Sequence, residues 1–273
     1  MGTTTSGALA QPARPPRRPS LRRLRGPLGN ILYVGGLLLI WELAVRAFNI
    51  TSLLLPSPTA VGAEAVRFGG LILSSSWITL VEAMIGFVLA VLIGVGLALV
   101  VVYAPPIRSI VLSSIVAVNA TPKIAVAPIL IIWLGLGMES KIALAFLLSF
   151  FPIVINAIRG LSDVPHDLLN LYRLMRATPL QVFTKVRMPS ATPALFDGMK
   201  IALPISMIGA VAGEFVAARQ GIGYQIVIAY SNFNSELVFA SVITIAVLAT
   251  ILFRILVFVE DRVLYWRPSK QIF

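Results

Sequence analysis

The chain has 273 residues, 58% of them hydrophobic and 12% charged, with 22 Lys and Arg against 11 Asp and Glu, one His and no Cys. Apolar runs long enough to cross roughly 30 Å of hydrocarbon as helices take up most of that length, leaving no stretch to build a separate soluble core, so any soluble chemistry must come from a partner. The absence of cysteine excludes disulfides, thiolate catalysis and zinc–sulfur sites, and the net charge of +11 sits beside apolar runs, where it sets topology and argues against nucleic-acid binding.

Residues 1–30 carry Arg14, Arg17, Arg18, Arg22, Arg23 and Arg25 among Pro, Ser and Gly, a composition that predicts a disordered basic cytoplasmic tail. Arg22-Arg23 also fits a twin-arginine signal, but no small-residue cleavage site follows, and the first apolar run is expected to be retained. Membrane helices are predicted at 31–48, 80–103, 107–134, 141–158, 193–217 and 237–258. Six spans put both termini on one side. With a cytoplasmic N-terminus the inner segments collect the tail arginines, Arg108, Arg159, Arg173, Arg176, Lys185, Arg187, Arg262, Arg267 and Lys270, and the outer ones little more than Arg67, Lys141 and Arg219. That is the expected inward bias of basic residues, and it predicts a multi-pass protein of the cell (inner or plasma) membrane with both termini cytoplasmic. The segment 54–77 is less apolar, opens with Pro56-Ser57-Pro58-Thr59 and holds Glu64 and Arg67; it is predicted to be an amphipathic helix along the outer face, a seventh span being the competing reading.

Between the fourth and fifth spans lies a basic, proline-punctuated insert, 161–192. Gly160 is expected to end the preceding helix and Pro165 to restart one, with Asp163 near its positive end. Leu161, Val164, Leu168, Leu171, Tyr172 and Met175 recur at helical spacing while Asp167, Asn170, Arg173 and Arg176 face elsewhere. A second short helix is predicted from Thr178 as N-cap, Pro179 in the first turn and Gln181 completing a capping box, with Pro189 interrupting it and Thr192-Pro193 starting the fifth span. Two short helices joined at Ala177-Thr178 can transmit force to a soluble partner. Their apolar stripe fits either a partner's groove or the protein's own inner surface.

Polar groups inside spans are costly, which singles out Glu82, Asn119, Lys123, Asn156 and Glu214 as pathway candidates. Glu82 and Lys141 are expected near the outer interface, free to snorkel. Glu214, among the small residues Gly209, Ala210, Ala212 and Gly213, reads as a structural pair inside the bundle or as a substrate contact. Lys123 follows Pro122, whose ring frees an upstream carbonyl; the cation either lines an anion pathway or pairs with that carbonyl. Asn119 and Asn156 are expected to hydrogen-bond between helices. Gly221-Ile222-Gly223 is predicted to form the outer turn before the last span, and no Walker A sequence is present. A membrane enzyme is disfavoured, because the lone His166 sits in the insert and no Ser-His pair can form within the spans. A carrier or channel would be recognised by inverted repeats or a selectivity loop, and neither is legible.

Val164-Pro165 through Pro189-Ser190-Ala191-Thr192-Pro193, followed by Phe196-Asp197-Gly198-Met199-Lys200-Ile201-Ala202, resembles the cytoplasmic EAA loop of binding-protein-dependent ABC importer permeases, in the branch that moves sulfonates, taurine and nitrate. The resemblance runs from Leu55-Pro56-Ser57-Pro58 nearly to Trp266. It includes Pro122-Lys123-Ile124-Ala125, Trp133-Leu134-Gly135-Leu136-Gly137, Phe150-Phe151-Pro152-Ile153, Gly213-Glu214-Phe215 and Gly221-Ile222-Gly223-Tyr224. The chain departs from the family pattern where Asn170-Leu171-Tyr172 replaces Glu-Ala-Ala and where Arg176 replaces the turn glycine, which predicts a helical or otherwise altered turn and a dedicated ATPase.

The resemblance implies an all-α membrane protein of type I ABC importer permease (MetI-like) architecture, with about six transmembrane helices and EAA-type coupling helices. It divides the chain into the tail 1–30, a first helix with the outer segment 31–76, a permease domain 77–266 holding the coupling loop 161–192, and a cytoplasmic tail 267–273. ATPase coupling is expected through Leu168, Leu171, Tyr172, Met175, Arg176, Ala177, Val186 and Pro189, and translocation past Asn119, Lys123, Asn156 and Glu214. Implied partners are ABC ATPase subunits that bind the ATP, an external solute-binding protein, a second permease copy in a homodimer, and the lipid membrane. The chain itself is expected to hold no cofactor or metal and to catalyse no reaction. The substrate class is a small anion such as a sulfonate, taurine or nitrate, or a pyrimidine-type vitamin precursor.

Overall fold

The computed structural model describes residues 27–265, and the elements along them are helices: α1 (Pro27–Ala47), α2 (Pro58–Arg67), α3 (Gly69–Tyr103), α4 (Pro105–Ala120), a 3-10 turn (Lys123–Val126), α5 (Ala127–Leu134), α6 (Met138–Ser162), α7 (His166–Leu174), α8 (Pro179–Val182), a π turn (Phe183–Arg187), α9 (Met188–Ala217), α10 (Ile222–Ser231) and α11 (Ser235–Val263). The tail arginines Arg14 to Arg25, Arg267 and Lys270, the segment 267–273 and Trp266 lie outside the described residues. Residues up to Asn49 form one unit. Within it α1 starts at Pro27, a residue suited to a first turn, so the last residues of the predicted tail are helical. Arg46 there donates to Glu42 Oε1 at 2.7 Å, one helical turn away.

In the second unit four helical runs are long and apolar enough to cross a membrane: Gly69–Tyr103, Met138–Ser162, Pro179–Ala217 and Ser235–Val263. Each contains a predicted span and extends beyond it. The predicted span 107–134 is corrected, because it is two helical pieces bent by 84° at the break between Ala120 and Lys123. Pro122 causes the break: it lacks an N–H, and it holds Thr121 extended at φ −72°, ψ 136°. The predicted amphipathic helix 54–77 is also corrected. Ser57 caps α2, accepting from the Ala60 N–H at 3.3 Å, and the chain breaks at Phe68 after ten residues; residues 69–77 then belong to α3. With α2 this short, the segment is not a seventh span.

Helix α6 lies between α3 and α9, parallel to the first and antiparallel to the second, as the pairs Gly86–Ala145, Gly94–Ile153, Gly213–Lys141 and Gly198–Asn156 require. The approach is so close that a Cβ on Gly86 would fall 2.7 Å from Ala145 Cβ and 2.8 Å from the Phe146 backbone nitrogen, and one on Gly209 would fall 2.7 Å from Ala145 Cα. Gly160 serves the same purpose, against Ala194 and Ala191. It does not end its helix as expected; α6 continues to Ser162, with Asp163 as its C-cap. The buried core follows α6 along its length, from Ala98, Val101, Phe151, Val154, Ala157 and Leu195 at its C-terminal end, through Phe87, Ala90, Ile153 and Leu203, to Ala83, Ala145, Met207 and Ala210. At the far end Ile72, Ile222, Ala229 and Leu237 close it.

Two polar clamps attach α11. Lys200 on α9 binds Glu260 Oε1 at 3.0 Å and Asp197 at 2.9 Å. At the opposite end Asn234 caps α11 through the Leu237 N–H at 2.9 Å and donates to Glu64 of α2 at 2.8 Å. The outward apolar face of α11, including Val242, Val247, Ile251, Ile255 and Phe258, is exposed, as suits a helix whose solvent is lipid.

A matched pair of substitutions tests the tight seam. Gly86→Ala is expected to destabilise the detergent-purified protein by about 1–3 kcal/mol. Gly96→Ala, which meets nothing within 4 Å, is expected to be neutral or stabilising by up to about 1 kcal/mol; thermal unfolding followed by tryptophan fluorescence separates them.

Candidate functional site

The insert forms the two predicted short helices, α7 and α8. Helix α7 closes with the Met175 N–H on Leu171 O and the Ala177 N–H on Tyr172 O, both at 3.0 Å, around Arg176 at φ 53°. This corrects the expectation of an altered turn. The backbone takes the left-handed conformation that a glycine would supply, and the arginine adopts it because two terminal hydrogen bonds offset the strain. The capping box at α8 is present: Thr178 N–H donates to Gln181 Oε1 at 2.8 Å and Gln181 N–H to Thr178 Oγ1 at 3.3 Å. Pro189 does not interrupt the helix as expected. The π turn Phe183–Arg187 widens the backbone just before it, and α8 continues through that turn into α9, so the fifth span starts well before Pro193.

The apolar stripe of the insert divides. Leu161 and Val164 are buried against the bundle, whereas Leu168, Leu171 and Met175 are exposed, Met175 at 68%. Leu168 and Tyr172 of α7 face Val186, Pro189, Lys185 and Ser190 across a groove of about 240 Å³. Arg187 lies in the π turn between Val186 and α9. Its guanidinium donates to Leu161 O at 3.2 Å and lies 5.1 Å from the centre of the Tyr103 ring, tying the start of α9 to the ends of α6 and α3.

At the other end of the bundle a polar cluster is buried. Glu214 of α9, 1% exposed, accepts from Thr79 Oγ1 at 2.6 Å and from the Gly223 N–H at 2.5 Å. Thr79 Oγ1 in turn accepts from the Ile222 N–H at 2.9 Å, so α3 and α9 together hold the first turn of α10. Gly221, at φ 101°, reverses the chain there, and the carboxylate of Glu214 fills the space where its Cβ would project. Gly221-Ile222-Gly223 is therefore both the expected turn and the N-terminus of α10, a helix the sequence reading did not anticipate. Ser75 donates to Gln225 Oε1 at 2.9 Å beside it.

Glu82 and Lys141 do not snorkel. Each is 2% exposed, the Glu82 carboxyl lying near that of Glu214. Lys141 folds back from the first turn of α6 to Leu136 O at 2.5 Å and Gly137 O at 2.9 Å, its stem packed on Gly213. Gly213 leaves the room that lets the ammonium stay inside, and the carbonyls of Leu136 and Gly137 ahead of α6 satisfy it.

The remaining candidates make local bonds. Lys123 Nζ donates to Asn119 O at 2.9 Å and Asn119 Oδ1 at 2.8 Å, and stands 4.8 Å from the Phe151 ring centre; the ammonium replaces a backbone donor lost at the helix break. Asn156 donates to Pro152 O in its own helix at 2.8 Å. The hydrogen bonds of these two amides thus fall within one stretch of chain instead of between helices, because each finds a backbone or cationic partner four residues away. Sequence reasoning missed Thr79, Ser75 and Gln225, single polar residues whose partners lie 135 to 150 positions away.

A bundle of apolar helices, a broken span and a pair of short coupling-type helices define a multi-pass transport protein. Residues 86–265 match the family described as binding-protein-dependent transport system inner membrane component, and the chain belongs to it. It is 33% identical over 226 residues, 83% of this chain and 92% of the relative, to a probable ABC transporter permease protein of Haemophilus influenzae. It is 32% identical over 251 residues (92% and 100%) to the formylaminopyrimidine transport permease protein ThiX of Halalkalibacterium halodurans. The taurine transport system permease protein TauC of Escherichia coli is 27% identical over 242 residues (86% and 88%). In fold the chain is similar to a structure of the inward-facing MetNI methionine ABC transporter, with a TM-score of 0.61 and 23% identity over 74% of this chain and 99% of that one. The resemblance stated from sequence motifs is borne out, and this protein is a permease component of an ABC importer.

Two substitutions probe this geometry. Thr79→Val leaves the Ile222 N–H and one Glu214 oxygen without a partner and is expected to cost about 1–3 kcal/mol. Arg176→Gly removes left-handed strain and is expected to stabilise by about 1 kcal/mol. Thermal unfolding measures both.

Proposed function

We propose that this chain translocates a small nutrient delivered by an external solute-binding protein, working as a homodimer driven by ABC ATPases that dock on α7 and α8 from the cytoplasm. The observation that carries the docking assignment is the divided stripe: Leu168, Leu171 and Met175 are exposed beside a groove, while Leu161 and Val164 are buried. An apolar face that projects into water is stabilised by a partner that covers it.

Force from the ATPases has a direct route. Helix α8 is continuous with α9 through the π turn, and Arg187 couples that turn to α6 and α3. Movement of the insert therefore moves the three most tightly packed helices together, and closure of the ATPases rocks the bundle between inward-open and outward-open states. Arg176 and Ala177 set the angle between the coupling helices. Both termini lie in the cytoplasm in this reading, and α1 supplies a further span. Asn119, Lys123 and Asn156 line the route, with Lys123 at the helix break able to exchange its local acceptors for an anion. Glu214 holds the outer end of the route in shape.

The substrate is a sulfonate-, taurine- or nitrate-like anion or a pyrimidine-type vitamin precursor, in keeping with the different solutes for which the relatives are named.

Replacing Leu168, Tyr172 and Met175 together with serine is expected to leave membrane insertion intact and to abolish ATP-driven uptake. Affinity purification from mild detergent, with mass spectrometry of what co-purifies, should find a soluble subunit bearing a Walker A sequence on the wild type and not on the variant. Unchanged uptake in the variant would sink the docking assignment, and solute transport by the chain alone without ATP would replace the reading with a carrier or channel.

A further inference from the structure

A groove of about 470 Å³ runs between α3, α10 and the start of α11. Its volume lies in the range of small-molecule sites. Phe68, Leu71 and Ile78, with Ile228 of α10 and Leu237 of α11, give it apolar walls, and Ser74, Gln220, Asn232 and Arg219 supply polar groups. Leu71, Ser74 and Ile78 follow one face of α3. Leu71, Ser74 and Ile228 are exposed, so the groove opens along its side and is not sealed inside the bundle.

Aromatic residues mark its level in the membrane. Trp77, next to Ile78 on α3, and Tyr230 and Phe233 at the end of α10 are exposed, and Tyr224 lines the groove itself. Exposed Trp and Tyr collect where hydrocarbon meets the headgroups. A side groove at that level meets lipid, with apolar walls for the chains and polar groups for the head.

Charge selects among lipids. Arg219 is exposed and makes no hydrogen bond or ion pair among the described residues. On its other side lie one carboxyl and one ammonium, Glu82 and Lys141, so neither sign dominates there. A second guanidinium, Arg67, stands 5.3 Å over the Phe68 ring. The described residues that line the groove include no Asp or Glu. Glu64, behind the lining residue Asn234, already accepts from it at 2.8 Å and pairs with Arg67 at 3.7 Å. A headgroup bearing an ammonium finds no carboxylate to receive it, whereas a phosphate without an attached cation meets Arg219 and the amide and hydroxyl donors around it.

We propose that this groove is a binding site for an anionic glycerophospholipid of the surrounding membrane, its phosphate received by Arg219 and its chains leaving along the exposed apolar face of α3, where Ile85, Leu89 and Leu92 continue the line of Leu71 and Ile78. The site goes beyond the transport reading and does not depend on it. A bound lipid ties α10 to α3 and α11, whose side chains form its walls.

The test is native mass spectrometry of the full-length chain in detergent with equal amounts of phosphatidylglycerol and phosphatidylcholine of matched chains, for the wild type, Arg219→Gln, Ser74→Trp and Arg254→Gln. The wild type is expected to retain about fivefold more phosphatidylglycerol than phosphatidylcholine, the effect of one cation at a headgroup. Arg219→Gln should erase that preference by removing the charge, and Ser74→Trp by filling the groove with no change of charge. Arg254, an exposed cation about 25 Å along α11 from Leu237, serves as the control, and Arg254→Gln should keep the preference. Glycerol phosphate, the same head chemistry without chains, should not displace the lipid. No preference in the wild type, a preference retained in either groove variant, or one lost equally in Arg254→Gln overturns the proposal. Arg219-dependent displacement by glycerol phosphate also overturns it, by assigning the groove to a soluble anion. So does a Ser74→Trp variant that shifts from dimer to monomer while keeping the lipid preference, which assigns the groove to a second copy of the chain. The exposed Arg219 carries the test if Ser74→Trp fails to fold.

Discussion

Everything in this bundle depends on how closely α6 approaches its two neighbours. Between helices in lipid there is no water to expel, so association relies on dispersion contacts and hydrogen bonds, and both require short separations. Glycines supply that closeness at Gly86 and Gly94 on α3 and at Gly198, Gly209 and Gly213 on α9. The resulting column of core residues leaves the flank of α11 free to face hydrocarbon. Moving one element of such a seam moves the others, because a Cβ-sized displacement has nowhere to go.

The same closeness makes the buried polar cluster tolerable. Thr79, Glu214 and the first turn of α10 satisfy one another, and Lys141 finds carbonyls of the Leu136–Gly137 turn. Helix α10, too short to span, is held at its start by a threonine from α3 and a carboxyl from α9. This end of the bundle is thereby a polar knot on an apolar rod. Glu82, Lys141 and Arg219 line one cavity beside this knot.

At the opposite end the insert joins rigid and exposed parts. The π turn accommodates Pro189 without breaking the path from α8 into α9, so α8 is an extension of a long apolar helix and not a loose loop. The left-handed Arg176 takes the backbone conformation that glycine would give, with a side chain able to make contacts that glycine cannot.

Sequence periodicity and motif order were enough to determine that this is a helical membrane protein, where four of its spans lie, where the two short helices of the insert begin and to which family it belongs. These features are local, set by hydropathy over a span and by capping over a turn. The sequence did not disclose that Pro122 bends its span by 84°, that Gly160 is a packing residue, that Arg176 would adopt a left-handed turn, or that Glu82 and Lys141 are buried. Each depends on a neighbour distant in the chain or on a balance between strain and hydrogen bonding. The meeting of Thr79 with Glu214 and Ile222, and the cavity between Glu82 and Arg219, were decided only when α3, α6 and α9 packed, because a polar group's partner in a bundle is chosen by helix contact and not by spacing along the chain.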